Sequence, residues 1–260
     1  MLEDDFTYVL KKALTGNGLA PSEAAAIAGL PEGEVLAFLR GNFSAETARR
    51  IAPVLGLDPE AFANHADYEP DVTLPHGIHR LDLSFGHERV NAWLICHGDH
   101  VILFDAGHEA VELIDAVKRA VGRMPDRVFV THAHRDHVAA LPVLLDRGVP
   151  VHAAGIDGTI PMKPGDTVQS GGLTVTARDL AGHAVPALGF QVDGLGFPLL
   201  VTGDAIFAGS IGGCATPAIY RMALERIRAV TANLAEETLL LPGHGPATTM
   251  GSERRRNPFL

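Results

Sequence analysis

Hydrophobic positions follow two regimes along the 260-residue chain. Over the first seventy residues they recur at helical spacing in short segments punctuated by glycine and proline. Ser22 can cap a segment running from Glu23 to Ala28, which Gly29 stops. Pro31 and Gly41 bound a second segment, Glu32–Arg40. Ser44 opens a third, with Ala48, Ile51, Ala52 and Leu55 on one face. Asp58-Pro59-Glu60 places a cap, a first-turn proline and a first-turn acid before a last short helix. The pattern predicts a compact unit of four or five short helices over residues 1–70.

Residues 66–74 (ADYEPDVTL) are polar and aperiodic and read as a linker. Beyond them short apolar runs with β character alternate with helical periods. Val90–Ile95, Val101–Phe104, Arg127–Thr131, Val151–Ala153, Leu188–Val192, Pro198–Thr202 and Thr238–Leu241 read as strands. Asp166–Val168 and Leu173–Ala177 flank Ser170-Gly171-Gly172 as a hairpin. Glu109–Val121, Val138–Leu145 and Ala218–Ala232 read as helices. Hairpins mixed with helices, without a regular βαβ repeat, predict an α+β layered domain over residues 71–260.

Composition narrows the functional classes. With 21 Lys+Arg against 31 Asp+Glu, the formal charge of −10 argues against broad nucleic-acid binding. The two cysteines, Cys96 and Cys214, form neither a disulfide framework nor a CxxC metal motif. The acidic start is unlike a secretory leader, and no apolar run reaches the roughly 18 to 20 residues of a membrane span. A cytoplasmic protein without a membrane partner is the expectation. Histidine stands out: 13, against three tyrosines and one tryptophan.

The histidines concentrate at strand ends. Thr131-His132-Ala133-His134-Arg135-Asp136-His137 follows the apolar run Val128-Phe129-Val130 and precedes a helix. Side chains alternate in extended backbone, so His132 and His134 point the same way and can share one ion. Asp136 and His137 lie where the chain turns into the helix and can face a second ion. His183 after Gly182, Asp204 after Thr202-Gly203, and His244 within Pro242-Gly243-His244-Gly245 repeat the motif of a ligand-bearing residue beside a glycine. Five histidines and two aspartates make a ligand count for two divalent metals, zinc first and iron or manganese next. Asp105, in Phe104-Asp105-Ala106-Gly107, can orient one of these ligands.

These motifs, in order, resemble the metallo-β-lactamase superfamily over about residues 75–260. The stretches Asp204–Gly212 and Pro242–Thr249 are similar to its glyoxalase-II-like hydrolases, the hydroxyacylglutathione hydrolase type. The resemblance implies a four-layer αββα sandwich with the metals at one edge of the sheets. It also implies that His132, His134 and His183 hold one metal, that Asp136, His137 and His244 hold the other, and that Asp204 bridges. The expected reaction is attack by a metal-held hydroxide on a thioester or related ester of a small-molecule substrate, with Asp136, Asp204 and Asp105 as the working carboxylates. Related chemistries stay open: a one-iron persulfide dioxygenase using His132, His183 and Asp204, a lactonase or a phosphodiesterase. True β-lactamases typically place a cysteine where Asp204 stands. Arg135, Phe207 and Tyr220 are the candidate substrate contacts.

Two departures bear on the substrate. The chain ends sixteen residues after His244, too few for the long helical segment that helps hold glutathione in glyoxalase II. The loop Gly213-Cys214-Ala215-Thr216 carries no cation where the short glyoxalase-II-like proteins usually have one. The basic run Arg254-Arg255-Arg256 reads as solvated, so only a weak preference for a glutathione moiety is expected. Residues 5–65 resemble a repressor-type helix-turn-helix domain with Glu32–Leu39 as its recognition helix. That helix offers no Arg, Lys, Asn or Gln, and residues 1–70 hold five basic against eleven acidic residues. Packing or homodimerisation is the expected role there rather than DNA binding or ligand-sensing transcription control.

Overall fold

The structure, a computed structural model, describes residues 1–260. Five helices open the chain: α1 (Phe6–Asn17), α2 (Pro21–Ala28), α3 (Glu32–Leu39), α4 (Ala45–Leu55) and α5 (Pro59–Ala63). Asp5, Ser44 and Asp58 cap α1, α4 and α5 by accepting from backbone amides of the first turn. The start of α2 corrects the sequence reading. Pro21 is its first residue, and Glu23 bonds back to the Ala20 amide, so Ser22 lies inside the helix. The segment 66–74 is likewise no free linker. Tyr68 is buried, and its hydroxyl meets Thr248 and Glu253 at 2.9 and 2.7 Å.

Two six-stranded sheets follow. The first runs β1 (Ile78–Phe85), β2 (Glu88–His97), β3 (His100–Phe104), β4 (Arg127–Phe129), β5 (Val151–Ala153), β6 (Ile160–Pro161). It begins as an antiparallel meander and becomes parallel from β3 onward, with α6 (Ala110–Val121) crossing from β3 to β4. Short helices α7 (Arg135–Val138) and α8 (Leu141–Leu145) lead from β4 to β5. Of the second sheet's strands, β7 (Thr167–Ser170), β8 (Leu173–Asp179), β9 (Leu188–Asp193) and β10 (Leu199–Gly203) come first in the chain. A small hairpin, β11 (Ile206–Phe207) with β12 (Ser210–Ile211), precedes helix α9 (Pro217–Thr231). Then come β13 (Leu239–Pro242), β14 (Thr248–Thr249) and α10 (Met250–Arg256). The spatial order is β14-β13-β10-β9-β8-β7, and β10 and β13 are its parallel pair.

Strand alternation builds the layers. Along β2, Trp93 and Ile95 turn inward to the second sheet, whereas Val90, Ala92 and Leu94 turn outward to α6 and α8. In the second sheet Leu199, Val201, Leu239 and Leu241 face the first sheet, and Leu200 and Leu240 face outward. Phe104, Phe129 and Phe190 meet between the sheets with ring centroids 5.3 to 5.6 Å apart. The outer layer over the second sheet is α9 together with the N-terminal helices. Val9, Leu10, Phe38 and Ile51 share one continuous core with Leu200, Leu240, Tyr220 and Ile227. Each such fully buried side chain contributes about 1.5 to 3 kcal/mol. The result is an α+β sandwich, helices–sheet–sheet–helices.

The C-terminal arginines are also placed. Arg254 donates to the Thr231 and Leu234 carbonyls at the end of α9, Arg255 pairs with Glu236, and Arg256 lies over the Tyr68 ring. Arg254 and Arg255 are exposed, as expected for a solvated run, and their contacts lie at the end of α9 and on Glu236.

Candidate metal centre

Parallel pairing brings strand ends to one edge. The C-terminal ends of β3 and β4 lie side by side, as do those of β10 and β13. Asp105 follows β3, the His132–His137 block follows β4, Asp204 follows β10 and His244 follows β13. Cross-sheet bonds tie the edge together. The Leu188 amide donates to Thr131 and the Asn91 amide to Gly243, while within the second sheet the Gly243 amide donates to Gly203. Glycine at 243 is a packing requirement, because a Cβ there would stand 2.1 Å from Asp204 Oδ1.

Seven of the candidate residues converge there. Donor atoms of His132, His134, His183 and Asp204 lie within 4.8 Å of one another, and so do those of Asp136, His137 and His244. Asp204 stands between the sets. Its Oδ1 is 3.3 Å from His137 Nε2, and its Oδ2 is 3.5 Å from both His183 Nε2 and His244 Nε2 and 3.8 Å from His132 Nε2. His183 Nε2 is 3.0 Å from His134 Nδ1, and His244 Nε2 is 3.1 Å from Asp136.

Four of the imidazoles are aimed from behind. His132 Nδ1 donates to the Thr131 hydroxyl, His137 Nδ1 to Asp105, His183 Nδ1 to the Gly213 carbonyl and His244 Nδ1 to the Arg89 carbonyl, at 2.7 to 3.0 Å. An acceptor at Nδ1 fixes the tautomer and leaves the Nε2 lone pair facing the cluster. Asp105 is the hub. Its carboxylate accepts from His137, from the Thr131 amide and from the Thr131 hydroxyl that in turn receives His132. It adopts φ +60, a left-handed conformation that Asp tolerates better than most residues. Its carboxylate oxygens are taken up by these bonds, so it holds His137 and Thr131 in place from behind the cluster.

The buried donor set demands positive charge. His132 Nε2, His137 Nε2 and Asp204 Oδ1 are buried without a hydrogen-bond partner. Burial, reinforced by the neighbouring His137, pushes His132 down to about 2. Burial opposes charge on His244 too, but the Asp136 and Asp204 carboxylates overcome it and hold this imidazole at about 10. His137 rises for the same reason: Asp204 and Asp105 outweigh its desolvation. Asp204 would be raised by burial, yet His137 and His244 keep it well below the usual carboxylate range. The buried carboxylates therefore draw positive charge into the cluster. Imidazole and carboxylate donors with orphaned buried atoms fit two borderline divalent metals.

The remaining predicted residues separate. Phe207 is buried with its ring 5.9 Å from that of His244. Arg135 is exposed beside the exposed His134 on the open side. Tyr220 does not reach the centre and is a correction. It is 4% exposed, its ring lies on Gly16 of α1 and against Phe259, and its hydroxyl has no partner. The sequence reading missed Asn91 and Trp93, whose side chains hold the Pro242 carbonyl ahead of His244 at 2.9 and 2.8 Å. Their signal was an asparagine inside an apolar strand beside the one tryptophan. It also missed Glu3, 4.0 Å from His244 Nδ1, and Lys12, which donates to the Ile211 carbonyl at 2.8 Å.

Comparison with known proteins agrees with this geometry. Residues 86–179 match the family model described as the metallo-beta-lactamase superfamily. That stretch runs from the turn before β2 through β8 and includes the His132–His137 block. A probable metallo-hydrolase of Bacillus subtilis, YqgX, is 29% identical over 200 residues, covering 66% of this chain and 92% of that protein. The hydroxyacylglutathione hydrolase of Photorhabdus laumondii is 29% identical over 127 residues, 46% of this chain and 48% of its own. Among solved structures, TTHA1623 in a di-iron-bound form superposes with a TM-score of 0.55 at 29% identity, over 69% of this chain and 99% of that one. The B3 metallo-beta-lactamase BLEG-1 gives 0.59 at 25% identity, over 70% and 99%. The fold is therefore the metallo-beta-lactamase fold preceded by a helical region. No helix is long and apolar enough to cross a membrane.

Proposed function

We propose that the protein is a dinuclear metal-dependent hydrolase acting on a thioester or related ester. His132, His134 and His183 would hold one ion, Asp136, His137 and His244 the other, and Asp204 would serve both. The observation that carries this reading is Asp204, a buried carboxylate with one oxygen turned to His137 and the other to His132, His183 and His244. Zinc suits the donors first, and iron is the alternative raised by the di-iron relative. When bound, such ions supply Lewis acidity and a water acidic enough to lose its proton near neutral pH.

The chain's own residues do the positioning. Asp105, Thr131 and the carbonyls of Arg89 and Gly213 lock the imidazoles before a substrate arrives, so orientation is set in advance. Phe207, buried, packs beside His244, and the buried Trp93 holds the Pro242 carbonyl ahead of it. The exposed His134 and Arg135 mark the side open to substrate. With the seven converging side chains engaged as ligands, none of them would serve as general acid toward a poor leaving group. A thiolate, with a pKa of about 8 to 9, leaves without one, which favours thioesters over amides.

Metal analysis of protein purified without chelator, together with thioester, lactone, phosphodiester and β-lactam substrates, tests the proposal. About two metal equivalents and the highest kcat/KM on a thioester are expected. Full thioesterase activity after metal removal, or turnover confined to another substrate class, would overturn it.

A further inference from the structure

The loop Gly213–Thr216 has no cation, but the structure brings one to it from two hundred residues away. Lys12 projects from α1, and its Cε comes within 3.8 Å of where a Cβ on Gly213 would stand. Gly213 is the residue whose carbonyl aims His183. The Lys12 ammonium also lies 5.0 Å from the centroid of Phe207, the ring that abuts His244. It therefore sits against the β11–β12 hairpin and the loop that follows, whose Phe207 and Gly213 touch His244 and His183, on a side chain 17% exposed.

Its hydrogen bonds leave it unsaturated. An ammonium has three N–H donors. One goes to the Ile211 carbonyl at 2.8 Å and one to the Asp4 carboxylate, which is itself buried. The Ile211 bond fixes the ammonium beside β12 and the loop that follows, and one donor remains for a ligand. We propose that Lys12 is the substrate-selecting cation of this centre, and that it takes a carboxylate carried by the substrate away from the bond that is cleaved. The helical region then forms one wall of the site. This inference rests on the hydrolase reading for its substrate but not for its test.

The probes are S-hexylglutathione, a thioether that cannot be hydrolysed, and its dicarboxamide, which has no carboxylate. Calorimetry on the metal-loaded full chain should show the dicarboxylate binding about tenfold or more tightly than the amide. Lys12→Met should abolish that difference and Lys12→Arg should keep most of it. Lys12→Met strands the buried Asp4, so Asp4→Asn/Lys12→Met is measured in parallel. Asp4→Asn alone releases the ammonium from its partner and should tighten the dicarboxylate several-fold while leaving the amide unchanged.

Equal binding of the two probes to the wild type would overturn the assignment, as would a carboxylate preference that survives in both Lys12→Met variants. Failure of the hydrolase reading looks different. The wild type would cleave no thioester, yet the carboxylate preference and its loss in Lys12→Met would persist.

Discussion

Replacing Asp105 by asparagine should uncouple the metal centre from its support while leaving the fold in place. Asparagine is nearly isosteric and accepts the left-handed backbone at φ +60, so the turn after β3 is preserved. The amide oxygen can still accept from the Thr131 backbone. The other position becomes an NH2 donor that faces two donors, the Thr131 hydroxyl and His137 Nδ1, each 2.9 Å from the present carboxylate. His137 is then pressed toward the opposite tautomer, with a proton on the Nε2 that should face the metal. The Thr131 hydroxyl must turn to accept from the new amide, and its own proton is driven toward His132 Nδ1, 3.0 Å away. One substitution thus disturbs one histidine of each ligand set. Loss of a single outer partner costs about 10- to 100-fold in metal affinity or activity. Two affected ligands place the expectation near the upper end, about 100-fold or roughly 2.7 kcal/mol. Chelator competition against the wild type measures it, with circular dichroism as the check on folding. Metal affinity within threefold of wild type in a folded Asp105→Asn protein would refute the tautomer argument.

Asp204→Ala removes the carboxylate shared by both groups, and kcat/KM should fall by at least about a thousandfold, since one side chain serves two ions; wild-type turnover by the purified variant would show that Asp204 does not bridge. Tyr220→Phe deletes a buried hydroxyl that has no partner, so stability should be unchanged or raised by up to about 1 kcal/mol with activity intact; a tenfold loss of kcat would return Tyr220 to the site. Glu253 accepts from Tyr68, Thr248, Gly209 and Asn257 while fully buried, so Glu253→Ala should cost about 3 to 5 kcal/mol in a denaturant melt.

The donor set was legible because metal chemistry restricts it to few residue types, and because glycine marks the turns that present it. His132, His134, Asp136 and His137 stand in one run of six residues, and His183, Asp204 and His244 each follow a glycine. The layers were legible too, since Trp93 and Leu94 differ by one position and fall on opposite faces of β2. Long-range closure was not. Nothing local to Lys12 or Glu3 shows that α1 and the segment before it abut the loops after β10 and β13. Tyr220 misled for the converse reason. It lies seven residues after Gly213, which meets His183, on the face of α9 that packs against Gly16. The helical periodicity of α9 could have assigned that face to the core. Arg254 and Arg255 are exposed as read, but the acceptors of Arg254, the Thr231 and Leu234 carbonyls, belong to another helix end and leave no local sign.

Why such a centre forms at this edge follows from strand direction. In an antiparallel pair, neighbouring strands end at opposite edges, so two consecutive strands cannot both deliver a ligand from their C-terminal ends to one place. Both sheets contain parallel pairs, β3 with β4 and β10 with β13, and each requires a crossover, through α6 and α9 respectively. The two crossover helices lie on the outer faces and leave the inner faces free to pack. Four strand ends then meet across the sandwich: Asp105 and the His132–His137 block from one sheet, Asp204 and His244 from the other. The antiparallel β2 contributes differently, from mid-strand, with Arg89, Asn91 and Trp93 grasping the loop around His244 from the opposite sheet. A ligand loop held by the Asn91 and Trp93 side chains and the Arg89 carbonyl of one ten-residue strand has little freedom to relax. Substitutions at Asn91 should therefore register first in metal affinity and only second in stability.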